Sequence, residues 1–262
     1  MHIVVCVKRV PALGAQVPLT DDGLAVDTRH LGFTIGPHEE CAIEEAVRLV
    51  AAYGGTVTVV TVGPPDAAEQ LRYALAMGAD RAVLVDAAVG AGDTESDPQE
   101  TADALRQGLA DEPAPDLVLV GDSSADAGHG QVGIRLATAL GLPAIGGIKG
   151  LDVAPAGSGG LRVRASREAD GGVEVFGLDA PAVIAVKEGL NLPRYPTLPG
   201  RLKAKKAELR TVHPDPAAVR SHGLRTVGLR MPEDRRASAI PLGRGADAAP
   251  AVVDVLARLG KV

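Results

Sequence analysis

L-V-L-V-G-D-S-S-A-D-A-G-H-G-Q-V-G, residues 117–133, is the stretch on which the fold turns. Its first four residues are all branched aliphatics, as in a strand buried on both faces. Residues 121–130 hold three glycines, two serines and two aspartates and cannot extend that strand, and 131–140 then shows helical spacing. A strand handing over to a helix through a glycine-rich turn lies at the carboxyl end of a sheet, where open α/β folds take ligands. Gly128 and Gly130 allow close backbone approach, the helix start favours an anion such as phosphate, and Asp126 stands where it can cap the helix. The same residues also suit a tight turn with no ligand. No G-x-G-x-x-G follows the first strand and no G-x-x-x-x-G-K-[ST] occurs, so neither a dinucleotide fingerprint nor a P-loop is indicated.

Working outward, the first 150 residues alternate β-branched runs with helical periodicity, the pattern of a parallel sheet with crossover helices. Strands are expected at 3–7, 56–62, 82–85, 117–120 and 143–148. Helices are expected at 38–52, after Gly63-Pro64-Pro65 up to Gly78, at 97–110 after an Ala/Gly/Asp loop, and at 131–140. The period then changes. Runs at 151–153, 161–165 and 173–176, separated by glycine-rich turns, read as hairpins, and 182–186 as another buried strand. Residues 213–245 lack the apolar content for a core and read as an extended arm, closed by a helix at 248–259.

Composition narrows the function. A net charge of −6 over 262 residues excludes a typical nucleic-acid binder, which needs a basic surface. Cys6 and Cys41 are the only cysteines and have no zinc-ligand spacing. Cys6, on the first strand, reads as a small core residue rather than a reactive thiol. The N-terminus lacks a signal-peptide pattern and no run of about 18 apolar residues occurs, so no membrane insertion and a cytoplasmic location are expected. No Ser/His/Asp trio or metal cluster is apparent, which points to a protein that holds a ligand and a partner without bond-making catalysis of its own. His38 and His129 read either as ligand contacts or as surface residues. Glu39, Glu40, Glu44 and Glu45 suit a helix start and read mainly as a solvated face.

N-L-P-R-Y-P-T-L-P-G-R-L-K-A-K-K, residues 191–206, resists assignment to a core element. Three prolines in seven residues argue against helix and central strand alike. Tyr195 and Leu198 on such a scaffold mark a docking loop, with Lys203, Lys205 and Lys206 steering it toward an acidic surface. The other reading is an ordered connector with a solvated lysine face.

Together these motifs resemble the beta subunit of electron transfer flavoprotein across nearly the whole chain. The resemblance is carried by V-C-V-K-R-V at 5–10, E-E-A-V-R-L at 44–49, A-L-A-M-G-A-D-R at 74–81, Q-V-G at 131–133, D-G-G-V-E at 170–174, P-A-V at 181–183 and, above all, N-x-P-R-Y-P-T-L-P-G with K-A-K-K at 191–206. It implies a Rossmann-like domain, taken here as residues 1–186 with the hairpin insertion, a partner-recognition loop at 187–206, and an arm and helix at 207–262 that dock on an alpha subunit. It also implies a heterodimer in which the alpha subunit holds most of a redox-active FAD while the beta subunit buries AMP. The AMP contacts would fall on Cys6, Gly36, Pro37, His38, Glu39 and Val62. They continue on Gly121, Asp122, Ser123, Ser124, Ala125, Asp126, Ala127, Gly128, His129, Gly130, Gln131 and Val132. Leu198 would anchor flavin dehydrogenases of the acyl-CoA type, beside Tyr195 and the three lysines, and electrons would pass on to a quinone oxidoreductase. The pattern is broken at Gly36, where an asparagine is common, and at 127–130, where a more acidic run is usual. AMP is the expected nucleotide, with a second FAD in an electron-bifurcating form as the alternative. A stand-alone nucleotide-binding stress-type protein is the reading from a different class.

Overall fold

All five residues of β1 (His2–Cys6) are buried, and the rest of the fold is laid down on both sides of this strand. The computed structural model describes the chain except for residues 13, 15, 16, 88–96, 158, 159, 220–223, 225 and 232–239. It divides into two units, Met1–Leu229 and Arg230–Val262. In the first, a small antiparallel ladder of β2 (Arg9–Pro11) and β3 (Phe33–Ile35) leads into α1 (Pro37–Tyr53). The chain continues through β4 (Thr56–Gly63), α2 (Ala68–Met77), β5 (Arg81–Asp86), α3 (Pro98–Gly108), β6 (Leu117–Gly121), α4 (Val132–Leu140) and β7 (Ala144–Ile148). It then makes a separate antiparallel sheet of β8 (Gly150–Pro155), β9 (Leu161–Ala169) and β10 (Gly172–Asp179). β11 (Ala182–Val186) returns to the main sheet, and α5 (Leu198–Lys206) and β12 (Arg210–Val212) follow.

The main sheet is parallel throughout, in the order β12-β5-β4-β1-β6-β11-β7. Its central strands are apolar on both faces because helices cover both. Ile3 and Val5 join Ala42, Ile43, Ala46 and Leu71 in the core under α1 and α2. Val4 and Cys6 point the other way, to Leu105 and Leu136 under α3 and α4. Each fully buried aliphatic of this kind contributes roughly 1.5–3 kcal/mol relative to exposure. The α/β class, the parallel sheet and the antiparallel insertion thus agree with the sequence expectation.

Three elements differ from it. β2 and β3 escape periodicity because three-residue strands are shorter than any repeat that would reveal them. β12 was expected to be non-periodic chain, yet it adds to the sheet edge beside β5, with Arg210 bonded to Glu112 at 2.6 Å. Most instructive, residues 198–206 are helical despite the proline among them, Pro199. Pro199 lies in the first turn, where its missing N–H costs nothing, and Thr197 caps the helix by accepting from the Gly200 N–H at 3.2 Å.

The Ala/Gly/Asp loop expected before α3 falls at 88–96, outside the described residues, and Asp97 caps that helix by accepting from the Gln99 N–H at 2.6 Å. Of the stretch expected as an arm, 220–223, 225 and 232–239 also lie outside them. The second unit holds a short turn, Gly245–Ala248, and α6 (Ala249–Arg258).

α4 approaches β6 closely because its second residue is Gly133. A Cβ there would stand 2.7 Å from Val120 Cγ2. Gly133→Ala should therefore lower the unfolding free energy by about 1–2 kcal/mol in urea titration, the strain outweighing the gain in helix propensity. An unchanged or raised stability would show that helix and strand can part without loss.

Candidate functional site

The sheet order places a topological switch beside β1. From β1 the chain steps outward to β4 and β5, then returns to lay β6 on the opposite side. Cys6 pairs in register with Val120, so the crevice beyond these two residues is the position where such sheets take ligands. Cys6 is buried, and burial pushes its thiol up to about 12, so it is inert packing at the crevice floor. Val62 lies at the same end of β4, two residues past the partner of Cys6.

Two helix starts face this crevice. α1 begins with Gly36 as its cap and Pro37, His38 and Glu39 in its first turn. The Ser123 N–H donates to His38 Nδ1 at 3.4 Å, which ties that turn to the loop after β6. Lys8 crosses from the end of β1 to bond Asp126 at 2.8 Å and Ser124 Oγ at 3.3 Å. The expectation that Asp126 caps α4 is therefore corrected. The helix starts six residues further on, at Val132, and Lys8 takes the carboxylate instead.

α4 receives no side-chain cap from Gln131, whose side-chain Oε1 accepts from Arg135 Nη2 at 2.8 Å instead. Its first-turn N–H groups are thus left for an anion. Gly128 and Gly130 both sit at φ 63, and a Cβ on either would meet nothing closer than backbone oxygens at 4.0 and 3.6 Å. Ala125, Gly128, His129 and Gly130 are exposed, while Gly121, Ser123, Ser124, Ala127 and Val132 are half-buried. Asp122 is occupied structurally: it accepts from the Gly147 N–H at 2.7 Å and so fixes the end of β6 to β7. Beside it opens a cleft of about 120 Å³ lined by Gly130, Gly133 and Gly146. That is well below the roughly 300 Å³ at which small-molecule pockets begin.

The second cluster lies on the segment after β11. Asn191 donates to Cys41 O and Glu45 Oε2, each at 3.0 Å. Arg194 grips Glu44 through Nε at 2.7 Å and Nη2 at 3.0 Å, and its backbone N–H adds a third bond. Beyond this staple, α5 is seated on α2 by its small residues. A Cβ on Gly200 would lie 2.6 Å from Ala76 O, Ala204 is buried, and Arg72 Nη1 donates to Ala204 O at 2.7 Å at the helix end. The large apolar residues consequently face outward: Leu192 is 92% exposed, Tyr195 88% and Leu198 71%. Lys203, Lys205 and Lys206 are exposed in the last turn, where cations also suit the helix dipole.

Comparison with known proteins gives the family of the chain. Residues 23–217 match the electron transfer flavoprotein domain model. The chain is 36% identical over 232 residues to the electron transfer flavoprotein subunit beta of Bacillus subtilis, covering 87% of each. It is 37% identical over 246 residues to the mitochondrial subunit beta of Oryza sativa subsp. indica, covering 92% of this chain and 93% of that one. The chain belongs to the electron transfer flavoprotein beta-subunit family.

Within this family member, the acidic face of α1 needs correction. Glu39, Glu44 and Glu45 are buried, not solvated; the fourth, Glu40, accepts from the Tyr73 hydroxyl at 3.0 Å. Sequence periodicity could not show this because the segment that covers Glu44 and Glu45 arrives about 150 residues later. Two further features were missed. Leu202, one turn after Leu198, extends the same exposed apolar face. Gly128, Gly130 and Gly133 also spell G-x-G-x-x-G, here after β6 with its first glycine seven residues past the strand, and the third glycine serves the close packing on Val120. Among the described residues, no three His, Cys, Asp or Glu are grouped to hold a metal, and no helix is long and apolar enough to cross a membrane.

Burial pushes Glu44 up, but the Arg194 hydrogen bonds and charge outweigh it and hold the carboxyl below its ordinary 4.5. Arg194→Ala should cost about 1–3 kcal/mol, less than a fully buried pair because the guanidinium is about half exposed. A depressed acid pKa stabilises above the unfolded value and loses that effect as pH falls through the folded one. The gap between wild type and variant in denaturant unfolding should therefore be full above pH 4.5 and shrink below it. A gap of equal size at pH 3 and pH 7 would remove the ion pair from the account.

Proposed function

We propose that the chain is the electron-carrying beta subunit of a heterodimeric electron transfer flavoprotein. An alpha subunit holds FAD, flavin dehydrogenases of the acyl-CoA type deliver electrons to it, and a quinone oxidoreductase accepts them. FAD, when bound, supplies the redox chemistry; this chain supplies binding and docking. The observation that carries the reading is the exposed apolar ridge of Tyr195, Leu198 and Leu202, held outward by a stapled loop and a seated helix. An ordered ridge of this kind loses little entropy on docking, which suits a brief and repeated contact. Lysines beside it favour encounter with an acidic dehydrogenase surface.

In the same reading AMP occupies the crevice at the end of β1 and β6. The residues present fit it: glycine backbone at positive φ, an uncapped α4 start for the phosphate, and Ser124 and Lys8 at the rim. The wider role of residues 207–262 is docking on the alpha subunit, supported by exposed Val252, Val253, Leu256 and Leu259 in and just after α6.

Co-expression with an alpha subunit should give a yellow heterodimer. Leu198→Ala should then raise the KM for a donor dehydrogenase about tenfold or more, with flavin content and melting temperature unchanged. An unaltered KM, or a colourless beta chain that never joins an alpha subunit, would contradict the reading.

A further inference from the structure

Glu39 is 4% exposed, and its Oε2 is enclosed with no hydrogen-bond partner. Two glycines make room for this carboxyl. A Cβ on Gly36 would overlap Oε2, and a Cβ on Gly121 would stand 2.9 Å from Cδ. Gly36 caps α1 and Gly121 ends β6, so the carboxyl is enclosed between the helix start and the turn after β6.

The groups facing Glu39 come from each neighbouring element. Lys8, past the end of β1, attracts it, but Asp126 of the turn holds the lysine at 2.8 Å and repels Glu39. Glu40, on the same helix, also repels it. His38 turns its Nδ1 to the Ser123 N–H. The nearby positive charge is thus matched by Asp126 before either a phosphate or an ionised Glu39 is counted. Two further negative charges in one small crevice disfavour each other.

We propose that Glu39 sets the charge balance of the crevice, an anionic ligand entering together with one proton that Glu39 then holds. This rests on the nucleotide reading above and takes AMP as the ligand. The step balances simply: AMP dianion and one solvent proton bind, and the Glu39 carboxylate becomes a carboxylic acid. Burial already pushes this carboxyl up to about 7 in the ligand-free chain, so proton uptake falls in an accessible range. The sign is that of a raised acid pKa. Below the ligand-free value the proton is already in place and affinity is independent of this group; above it, affinity falls up to tenfold per pH unit.

The test is calorimetric titration of the full chain with AMP and with adenosine between pH 7.5 and 8.5, where the phosphate of AMP is already a dianion. Wild type should lose about five- to tenfold in AMP affinity across this unit, while Glu39→Gln, and adenosine with either protein, should change little. Wild type alone, measured at pH 7.5 in HEPES and in Tris, should take up a measurable fraction of a proton per AMP, which tests the idea even if the variant does not fold. Parallel AMP profiles for the two proteins, or no proton uptake, would overturn the proposal while leaving AMP binding intact. If neither AMP nor adenosine binds wild type at any pH, the nucleotide reading itself fails and the proposal goes with it.

Discussion

The structure depends on burying three carboxylates along one helix. α1 places Glu39 in the crevice and, less than two turns later, Glu44 and Glu45 under the segment that follows β11. An ionised carboxylate out of water is tolerated only with partners. Arg194 and Asn191 meet that demand for Glu44 and Glu45, and in doing so they fix where the polypeptide leaves the sheet. Glu39 has no side-chain donor of this kind; burial outweighs the bond from its own backbone N–H, and the carboxyl favours its proton. One helix therefore joins the crevice at the end of β1 to the segment that follows β11. Its acidic residues act in opposite ways because only two of the three are met by side-chain donors from the segment after β11.

The exposed ridge follows from the same arrangement. With residues 191–194 held against α1, the chain reaches α2 through a prolyl turn, and Gly200 and Ala204 let α5 lie down on it. A helix whose small residues face inward must present its large ones to solvent. Leu198 and Leu202 are exposed for that geometric reason. Proline, which seemed to exclude a helix here, instead fixes its first turn.

How much of this was legible in the sequence varied with the range of the interaction. The parallel sheet was legible because its strands are buried on both faces and read as unbroken runs of Val, Leu and Ile, as at 117–120. The turn at 121–132 stood out because glycine spacing is a local signal. β12 was not legible, since Arg210–Val212 is held by an edge pairing and by Arg210 reaching back to Glu112. Nor was the burial of Glu39: it needs Gly36 and Gly121, far apart in sequence, to lack side chains at one point in space. The capping role expected of Asp126 failed for a similar reason, Lys8, two residues past β1, having taken the carboxylate.

The central claim is that the crevice between β1 and β6 is an adenosine-phosphate site, separate from the flavin held by a partner subunit. It is tested most directly by denaturing the purified heterodimer and counting the nucleotides released. The account predicts one FAD and one AMP per heterodimer. Two FAD, or FAD with no AMP, would contradict it.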